Sequence, residues 1–421
     1  MDYRVREQNE LKSSGVEWLG DIPKDWDLKK LKYFAKIKNG KNQQDVLDDD
    51  GEYPIFGSGG VFGRASDYLH NKRSVLLGRK GTVDKPLYID KPFWTVDTMY
   101  YTNIFKISNP KFFFYGCLGI PFPLYQYGSA IPSMTQEDLS NIFFAFPNLL
   151  EQQKIANFLD KKSKTFDDII SNKELLIKKL EDAKQSLISE VVTGKLKVCE
   201  LDGKLQTIKR EKDELIDSKV EWIGDIPKGW KVKKSKYLLE IRKRISGELG
   251  YDILSITQKG IKIKDITTGG GQLSMDYSKY QIVNVGDFAM NHMDLLTGFV
   301  DIAKSQGVTS PDYRVFTLID KNSDADYFLY LFQMGYKNKI FYAFGQGSSQ
   351  LGRWRFPTEE FKKFYFPTPS KNEQKQISIY LDEKCKTFDN TIEKTKQSII
   401  KIKSAKESLI SEAVTGKIEV L

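Results

Sequence analysis

Polar and cationic side chains in glycine-rich turns are the residues of this sequence best suited to chemistry, and that chemistry is the binding of phosphate groups and nucleotide bases. Residues 56–63 read FGSGGVFG and are followed by Arg64, and residues 77–82 read LGRKGT. Glycine lets backbone amides approach a phosphate closely, and an arginine on such a turn can bind a guanine edge or a phosphate. The alternative is a tight strand connection without a ligand for the first segment and a solvated turn for the second. The candidates in this part of the chain are Ser58, Gly59, Gly60, Arg64, Arg79, Lys80 and Thr82.

Amide side chains follow predicted strands in the second half of the chain. Residues 257–260 read TQKG and residues 290–293 read MNHM, and Asn and Gln amides can pair with N6 and N7 of adenine. Residues 345–355 read GQGSSQLGRWR, with an arginine on each side of Trp354, which a core could equally bury. The corresponding stretch 125–130, YQYGSA, has no arginine, which indicates different base preferences. The candidates here are Thr257, Gln258, Lys259, Asn291, His292, Gln346, Ser348, Ser349, Gln350, Arg353 and Arg355, with Tyr127 and Ser129 in the first half.

Catalytic and metal-binding patterns are missing from the sequence. Three cysteines far apart and two histidines are too few ligands for a zinc cluster of the usual spacing. The nearest match to the N/D-P-P-Y/F tetrapeptide of a methyltransferase is NPKF at 109–112, which has lysine in place of the second proline, and no glycine-rich cofactor loop precedes it. The acids at 382–383 have no partner acid of the kind a metal-dependent nuclease needs. We therefore expect no catalytic residue, metal or cofactor on this chain.

The composition is that of a folded protein with a modest basic excess. Lys and Arg total 65 against 56 Asp and Glu, a formal charge of +9, and 40% of the residues are hydrophobic. The first 15 residues carry charges and no apolar run, and no window of 18 apolar residues exists, so we expect neither a signal peptide nor a membrane span. The few, scattered cysteines are typical of a reducing compartment, and we expect the protein to be cytoplasmic.

The chain is an internal duplication. Residues 14–33 and 218–237, called here the Trp motifs, are identical at 14 of 20 positions, at an offset of 204. Residues 151–196 and 373–418 are identical at 24 of 46 positions, at an offset of 222. The segments between these repeats contain strand-like runs such as SVLLG and have diverged in sequence. The two halves therefore share the flanking repeats and differ in the globular segment between them. Packing best explains the four repeated tryptophans, which are Trp18, Trp26, Trp222 and Trp230.

The second repeat predicts two long helices. Apolar residues recur in alternating steps of three and four along 155–187 and 377–409, and neither run meets a Gly or Pro before Gly194 or Gly416, at the position of a C-terminal cap. A helix of about 40 residues is roughly 60 Å long. Because a small domain cannot bury a narrow apolar seam of that length, we expect the two helices to pack on each other as a coiled coil.

The order of these motifs resembles that of the specificity subunit of type I restriction-modification systems. The shared elements are W-[LI]-G-D-I-P-x-x-W, then F-G-S-G-G and L-G-R-K-G-T, then E-Q-x-x-I with S-L-I-S-E-x-V-T-G-K, and they span nearly the whole chain. The resemblance implies an α+β fold in which two long antiparallel helices, forming a coiled coil, separate two strand-rich target-recognition domains related by a pseudo-two-fold internal duplication. The expected segments are an N-terminal tail (1–13), target-recognition domain 1 (14–150), spacer helix 1 (151–197), a charged, weakly helical linker (198–217), target-recognition domain 2 (218–372) and spacer helix 2 (373–421).

The resemblance also implies a function. Each domain would read one half of an asymmetric bipartite site in double-stranded DNA, and the helices would dock two methyltransferase subunits carrying S-adenosylmethionine. Restriction subunits, which translocate DNA with ATP and Mg, would join this bacterial or archaeal complex. A structural coiled-coil adaptor and a DNA-binding protein without restriction partners are the alternatives. The apolar helix positions expected to bind partner subunits are Phe166, Ile170, Ile177, Phe388, Ile392 and Ile399.

Overall fold

The computed structural model describes residues 2–127, 130–265, 276–347 and 354–421. The chain divides into two compact units: the first comprises Met1–Leu175 and Thr395–Leu421, and the second comprises Leu176–Lys394. Each unit therefore contains one Trp motif, one diverged globular segment and one half of each long helix. Both units mix strands with short helices, which confirms the strand-rich α+β architecture.

The described residues form six α-helices and 27 β-strands. The helices are α1 (Pro110–Leu118), α2 (Gln136–Asn141), α3 (Leu149–Val192), α4 (Ala325–Lys337), α5 (Thr358–Lys363) and α6 (Lys371–Val414). The strands of the first half are β1 (Tyr3–Val5), β2 (Leu11–Ser13), β3 (Asp21–Pro23), β4 (Asp27–Lys30), β5 (Ala35–Asn39), β6 (Tyr53–Gly57), β7 (Gly60–Ala65), β8 (Ser74–Gly78), β9 (Leu87–Ile89), β10 (Trp94–Thr95), β11 (Met99–Ile104) and β12 (Phe143–Phe146). The strands of the second half are β13 (Leu196–Leu201), β14 (Lys204–Lys209), β15 (Leu215–Asp217), β16 (Asp225–Pro227), β17 (Lys231–Lys234), β18 (Leu239–Arg242), β19 (Leu254–Thr257), β20 (Gly260–Ile263), β21 (Gln281–Val283), β22 (Phe288–Met290), β23 (Val300–Ile302), β24 (Gly307–Thr309), β25 (Arg314–Leu318), β26 (Tyr365–Thr368) and β27 (Ile418–Val420).

A four-stranded antiparallel sheet forms the centre of each unit. Its order is β5-β11-β8-β9 in the first unit and β18-β25-β22-β23 in the second. The register is also shared, because Ala35 pairs with Ile104 and Leu239, at the repeat offset from Ala35, pairs with Leu318. The apolar run SVLLG is β8, and all five of its residues are buried, as suits a strand inside a sheet. The two diverged segments are therefore built on one scaffold.

The segment between the halves is a hairpin, and the prediction of a weakly helical linker at 198–217 was wrong. Strands β13 and β14 pair antiparallel around Asp202 and Gly203, whose φ angles are +51° and +72°. An Asp-Gly pair with both φ angles positive makes the two-residue turn that suits a hairpin, and this local preference outweighs the charged composition. In the first unit the predicted tail 1–13 contributes β1, which pairs with β27 in the equivalent register.

The Trp motif of the first unit joins both long helices. Trp26 is 1% exposed, and its Nε1 donates to Glu151 in the first turn of α3 at 3.0 Å. Arg6 donates to the other oxygen of the same carboxylate, also at 3.0 Å. After the end of α6, Gly416 has a φ of +74°, and a Cβ atom there would lie 2.4 Å from the Pro23 ring. The Trp motif therefore packs so closely on Gly416 that any side chain at that position would displace the Pro23 ring.

The second unit repeats this arrangement at the repeat offsets. Trp230 donates to Glu373 in the first turn of α6 at 3.1 Å, and Arg210 donates to the same carboxylate at 2.9 Å. Gly194, just after α3, has a φ of +80°, and a Cβ atom there would lie 2.5 Å from the Pro227 ring. The packing role predicted for the repeated tryptophans is what the structure shows.

A buried glutamine beside each of these glutamates holds the short helix of the unit. Gln152 and Gln374 are both fully buried. Gln152 accepts a hydrogen bond from the backbone N–H of Asn109, the N-cap of α1, at 2.7 Å, and Gln374 accepts one from Asp324, the N-cap of α4, at 2.8 Å. The Asn109 side chain also caps its own helix, so the segment NPKF is the start of a structural helix.

In each unit opposite ends of the two long helices pack together. The core of the first unit joins Ile155 and Leu159 of α3 to Val414 of α6. The core of the second unit joins Val192 of α3 to Leu381 of α6. Each unit thus holds an antiparallel pair made from the first part of one helix and the last part of the other.

Candidate nucleic-acid interface

Three separate segments of the first unit meet at one edge of the central sheet. The loop after β8 carries Arg79 and Lys80, and Lys80 pairs with Ser133, which in turn pairs with Tyr127. The turn between β6 and β7 lies beside the same loop, since a Cβ atom on Gly81 would be 2.9 Å from the Ser58 Oγ. The fold therefore assembles the predicted segments 58–60, 79–82 and 127 into one surface.

The predicted cations of the first unit differ in how many of their donors are already used. Arg79 and Lys80 are exposed, and the Arg79 guanidinium makes one hydrogen bond to the described residues, at 3.2 Å to the Asp97 carbonyl. Arg64, in contrast, donates at 2.5 Å to the Gly51 carbonyl and at 2.7 Å to the Glu52 carbonyl. A guanidinium held by backbone oxygens has fewer donors left for a ligand. Of the predicted residues here, Gly60 has a φ of +110° in its turn, Gly59 is exposed, Thr82 is half-buried and Tyr127 is 59% exposed.

The second unit brings together three of its predicted residues in the same way. His292 follows β22, and its carbonyl accepts from Phe356 N at 2.9 Å. Gln346 and Arg355 exchange two backbone hydrogen bonds of 2.8 and 3.0 Å next to this contact. Asn291 is half-buried, and its Oδ1 accepts from Met293 N at 3.3 Å. An amide, an imidazole and a guanidinium therefore share one edge.

The segment TQKG lies elsewhere in the second unit. Gln258 and Lys259 form the turn between β19 and β20, and Thr257 Oγ1 donates to the Gly260 carbonyl at 2.8 Å. This turn lines a cavity of about 350 Å³ whose other walls include Lys184 and acidic residues of the unit. That cavity shares no lining residue with the two cavities around His292.

Five of the predicted residues lie outside the described part of the chain. They are Ser129, Ser348, Ser349, Gln350 and Arg353.

The shared register makes positions of the two units comparable one by one. Tyr100 stands opposite Leu77 in the first sheet, and Arg314 stands opposite Met290 in the second. Tyr100 donates to the Met134 carbonyl at 3.2 Å, and Arg314 donates to the carbonyl of the equivalent Phe356 at 2.8 Å. The equivalent pairs are Arg79 and His292, Tyr100 and Arg314, Tyr127 and Gln346, and Ser133 and Arg355.

Arg314 was not among the residues predicted from the sequence. It is 3% exposed, its guanidinium lies 4.5 Å from the Phe361 ring centre, and its Nη1 has no hydrogen-bond partner among the described residues. Burial lowers the pKa of Arg314 to about 10, so the side chain is still a cation at neutral pH. The one available signal was an arginine within the apolar strand run RVFTL, where a charge needs a reason.

Burial and positive neighbours keep His292 neutral. Its pKa is lowered to about 3, first by burial and then by the charges of Arg314 and Arg355. At neutral pH the imidazole therefore offers one donor and one acceptor and adds no charge.

The long helices present apolar side chains both to each other and to solvent. Among the positions predicted to bind partners, Ile392 and Ile399 are buried, whereas Phe166, Ile170, Ile177 and Phe388 are half-buried. Exposed apolar residues of the two helices include Ile169 and Leu176, which belong to the predicted stripe of α3. The others lie outside the periodic pattern and are Leu149, Leu150, Leu175, Ile379 and Ile400.

Within the described ranges no three His, Cys, Asp or Glu side chains are grouped so that they could hold a metal ion. A search of the same ranges found no helix with the length and apolar character that crossing a bilayer requires.

Comparisons with known proteins agree with this architecture. The sequence model described as "Type I restriction modification DNA specificity domain" matches twice, at residues 23–179 and 227–404. The type I restriction enzyme MjaVIII specificity subunit of Methanocaldococcus jannaschii is 25% identical over 95% of this chain and 94% of its own length. The EcoDI specificity subunit of Escherichia coli is 21% identical over 95% of this chain and 90% of its own length.

One solved structure, from work on complex assembly and conformational transition of the type I R-M system, shares the fold. It has a TM-score of 0.66 at 12% identity and covers 94% of this chain and 99% of the solved chain. The family model matches well over half of the chain, in both halves of the duplication. The chain therefore belongs to the family of type I restriction-modification DNA specificity subunits.

Proposed function

We propose that this chain is the non-catalytic DNA-reading subunit of a type I methyltransferase and restriction complex, and that each unit reads one half of an asymmetric bipartite site. The observation that carries the proposal is the set of equivalent positions at the sheet edge. The framework beneath them is the same in both units, down to the backbone hydrogen bonds at Met134 and Phe356. Two of these pairs, Arg79 with His292 and Tyr127 with Gln346, differ in donor pattern and charge, so the two half-sites should differ in sequence.

The long helices support a docking role. Ile169 of α3 and Ile379 of α6 are 40% and 50% exposed. Exposed apolar side chains of this kind favour contact with another protein surface. We propose that two methyltransferase subunits bind there, that S-adenosylmethionine, ATP and Mg belong to partner subunits, and that restriction subunits join through the methyltransferases.

A domain exchange tests the bipartite reading. Residues 35–146 of the first unit would be replaced by the equivalent segment of another family member, which keeps the Trp motif and both long helices. Genome-wide mapping of methylated adenines in cells with the matching methyltransferase should show one half-site changed and the other unchanged. A change in both half-sites would contradict modular reading.

Binding assays separate the proposal from the structural adaptor. The complete chain with its methyltransferase subunits should bind its own site with an affinity that falls steeply as KCl rises, since phosphate contacts release counterions. An adaptor without a DNA role would show no sequence preference in the same titration.

A further inference from the structure

Two adjoining cavities of the second unit surround the edge where His292 lies. Their volumes are about 480 and about 360 Å³, and they share His292, Arg355 and Thr358 as lining residues. The side chain of Arg314 lines the smaller of the two, although it is 3% exposed. A concave site therefore has one arginine in its wall, near the solvent, and another in its floor.

The charges of this site are unbalanced. Arg242 and Lys243 also line it, and Asp312 is the one acid among its described lining residues. Within the described ranges neither Arg314 nor Arg355 forms an ion pair, whereas Arg242 is paired with Glu240. A buried cation without a counterion is costly, and the cost falls when an anion enters.

The equivalent site of the first unit has a different chemistry. Tyr100 occupies the place of Arg314, and Ser133 occupies the place of Arg355. Both are neutral hydrogen-bonding groups, and the exposed cations beside them include Arg79 and Lys80, on the loop after β8. The cation in the floor is therefore a feature of the second unit, and the scaffold does not require it.

We propose that this cavity, floored by Arg314 and walled by Arg355, binds a backbone phosphate of the DNA at the second half-site; the proposal rests on the proposed function. Phosphates project outward from a duplex and can enter a concave site, whereas base edges lie inside the grooves and are reached by protruding side chains. The groups left without partners are chiefly donors, as a phosphate with only acceptor oxygens requires. The Thr358 hydroxyl, which is exposed at the same wall, can add a further donor.

The chain itself provides the test variants. Arg314→Tyr introduces the residue of the first unit, which can still donate to the carbonyl beneath it, and Arg355→Ser does the same at the wall. Ser133→Arg in the first unit is the matched control for adding charge at the equivalent position. Thermal unfolding of each variant in the assembled complex shows whether it has folded.

The readout is binding of the complex to its mapped site as a function of KCl. Each variant should reduce the slope of log K against log [KCl] by up to about 0.9, the value for one complete phosphate contact. Neutral methylphosphonate linkages placed one at a time along the second half-site should identify one position at which the wild type loses about tenfold or more in affinity. The two variants should be insensitive to that linkage.

Three results would overturn the inference while leaving the proposed function intact, provided that wild-type binding stays sequence-specific. The first is a salt slope equal to that of the wild type in both variants. The second is a profile of methylphosphonate sensitivity that is the same in the variants as in the wild type. The third is thermal stabilisation of the complex by inorganic phosphate when no single methylphosphonate linkage weakens DNA binding. The last result would assign the cavity to a free anion. Loss of sequence-specific binding by the wild type itself would instead contradict the proposed function.

Discussion

Lys184 of α3 donates to both carboxylate oxygens of Asp389 of α6, at 2.7 Å each. In the other unit Lys406 of α6 contacts both oxygens of Asp167 of α3, at 2.7 and 2.8 Å. These four residues are related by the repeat offset of 222, so duplication of one helix generated both ion pairs. Along α3 the paired position advances from Asp167 to Lys184, while its partner on α6 moves back from Lys406 to Asp389. The two helices therefore run antiparallel.

A double-mutant cycle on Lys184 and Asp389 should give a small favourable coupling energy. The side chains are 21% and 60% exposed, so we expect no more than about 1 kcal/mol, decreasing with salt. Chemical unfolding of Lys184→Ala, Asp389→Ala and the double variant measures it. The cycle on Lys406 and Asp167 is the matched control and should agree, because those exposures are 25% and 61%. A coupling of zero in both cycles would mean that the pairs contribute nothing to helix pairing.

Alanine at Gly194 should destabilise the second unit more than alanine at Gly203. Both glycines have positive φ angles, +80° and +72°, which cost an alanine about 1–2 kcal/mol each. Only Gly194 faces the Pro227 ring, where a Cβ atom would be 2.5 Å away and overpacking adds about 1–3 kcal/mol. The difference in free energy of unfolding between the two variants isolates the contact of the Trp motif with the end of α3. Equal losses of unfolding free energy in the two variants would show that the Pro227 ring moves away from an added Cβ atom at little cost.

The framework could be predicted because its sequence motifs occur twice in the chain. Two copies of the Trp motif and of the long apolar stripe identify what the fold keeps, and the glycine after each helix marks where the helix ends. The charged composition of 198–217 does not predict the hairpin, and the Asp202-Gly203 pair is the local feature that favours it. One face of the hairpin packs on the core through Leu196, Val198 and Leu205, and this apolar alternation is too short to predict two strands.

The site was predictable only in part, since it depends on register. That Arg314 corresponds to Tyr100 follows from strand pairing in two sheets, and the two segments have diverged too far to be aligned by eye. Likewise the sequence placed Gln258 and His292 in one group of candidates, but the structure assigns them to cavities that share no lining residue. Contacts across a sheet are set by packing, which short motifs do not encode.

Acid should destabilise the second unit through His292. Its folded pKa of about 3 lies below the 6.5 of an unperturbed histidine, so the unfolded chain binds the extra proton between those values. The stability linked to His292 is therefore complete above pH 6.5 and falls by about 1.4 kcal/mol per pH unit as the pH drops toward 3. Unfolding of His292→Gln at pH 7 and pH 5 should show a smaller loss than the wild type. A loss equal to that of the wild type would contradict a buried neutral imidazole.

Arg79→Ala and Arg64→Ala should separate DNA binding from folding in the first unit. Arg79 is exposed with one weak backbone contact, so its loss should weaken binding and methylation by the complex and reduce the salt slope by about 0.9, with assembly unaffected. Arg64 holds the Gly51 and Glu52 carbonyls, so its loss should lower the stability of the unit by about 1–3 kcal/mol with little change in the slope. Salt titration and chemical unfolding of both variants, with co-purification of the methyltransferase as the assembly check, measure the two effects. Failure of Arg79→Ala to co-purify would place this arginine in assembly and not at the DNA.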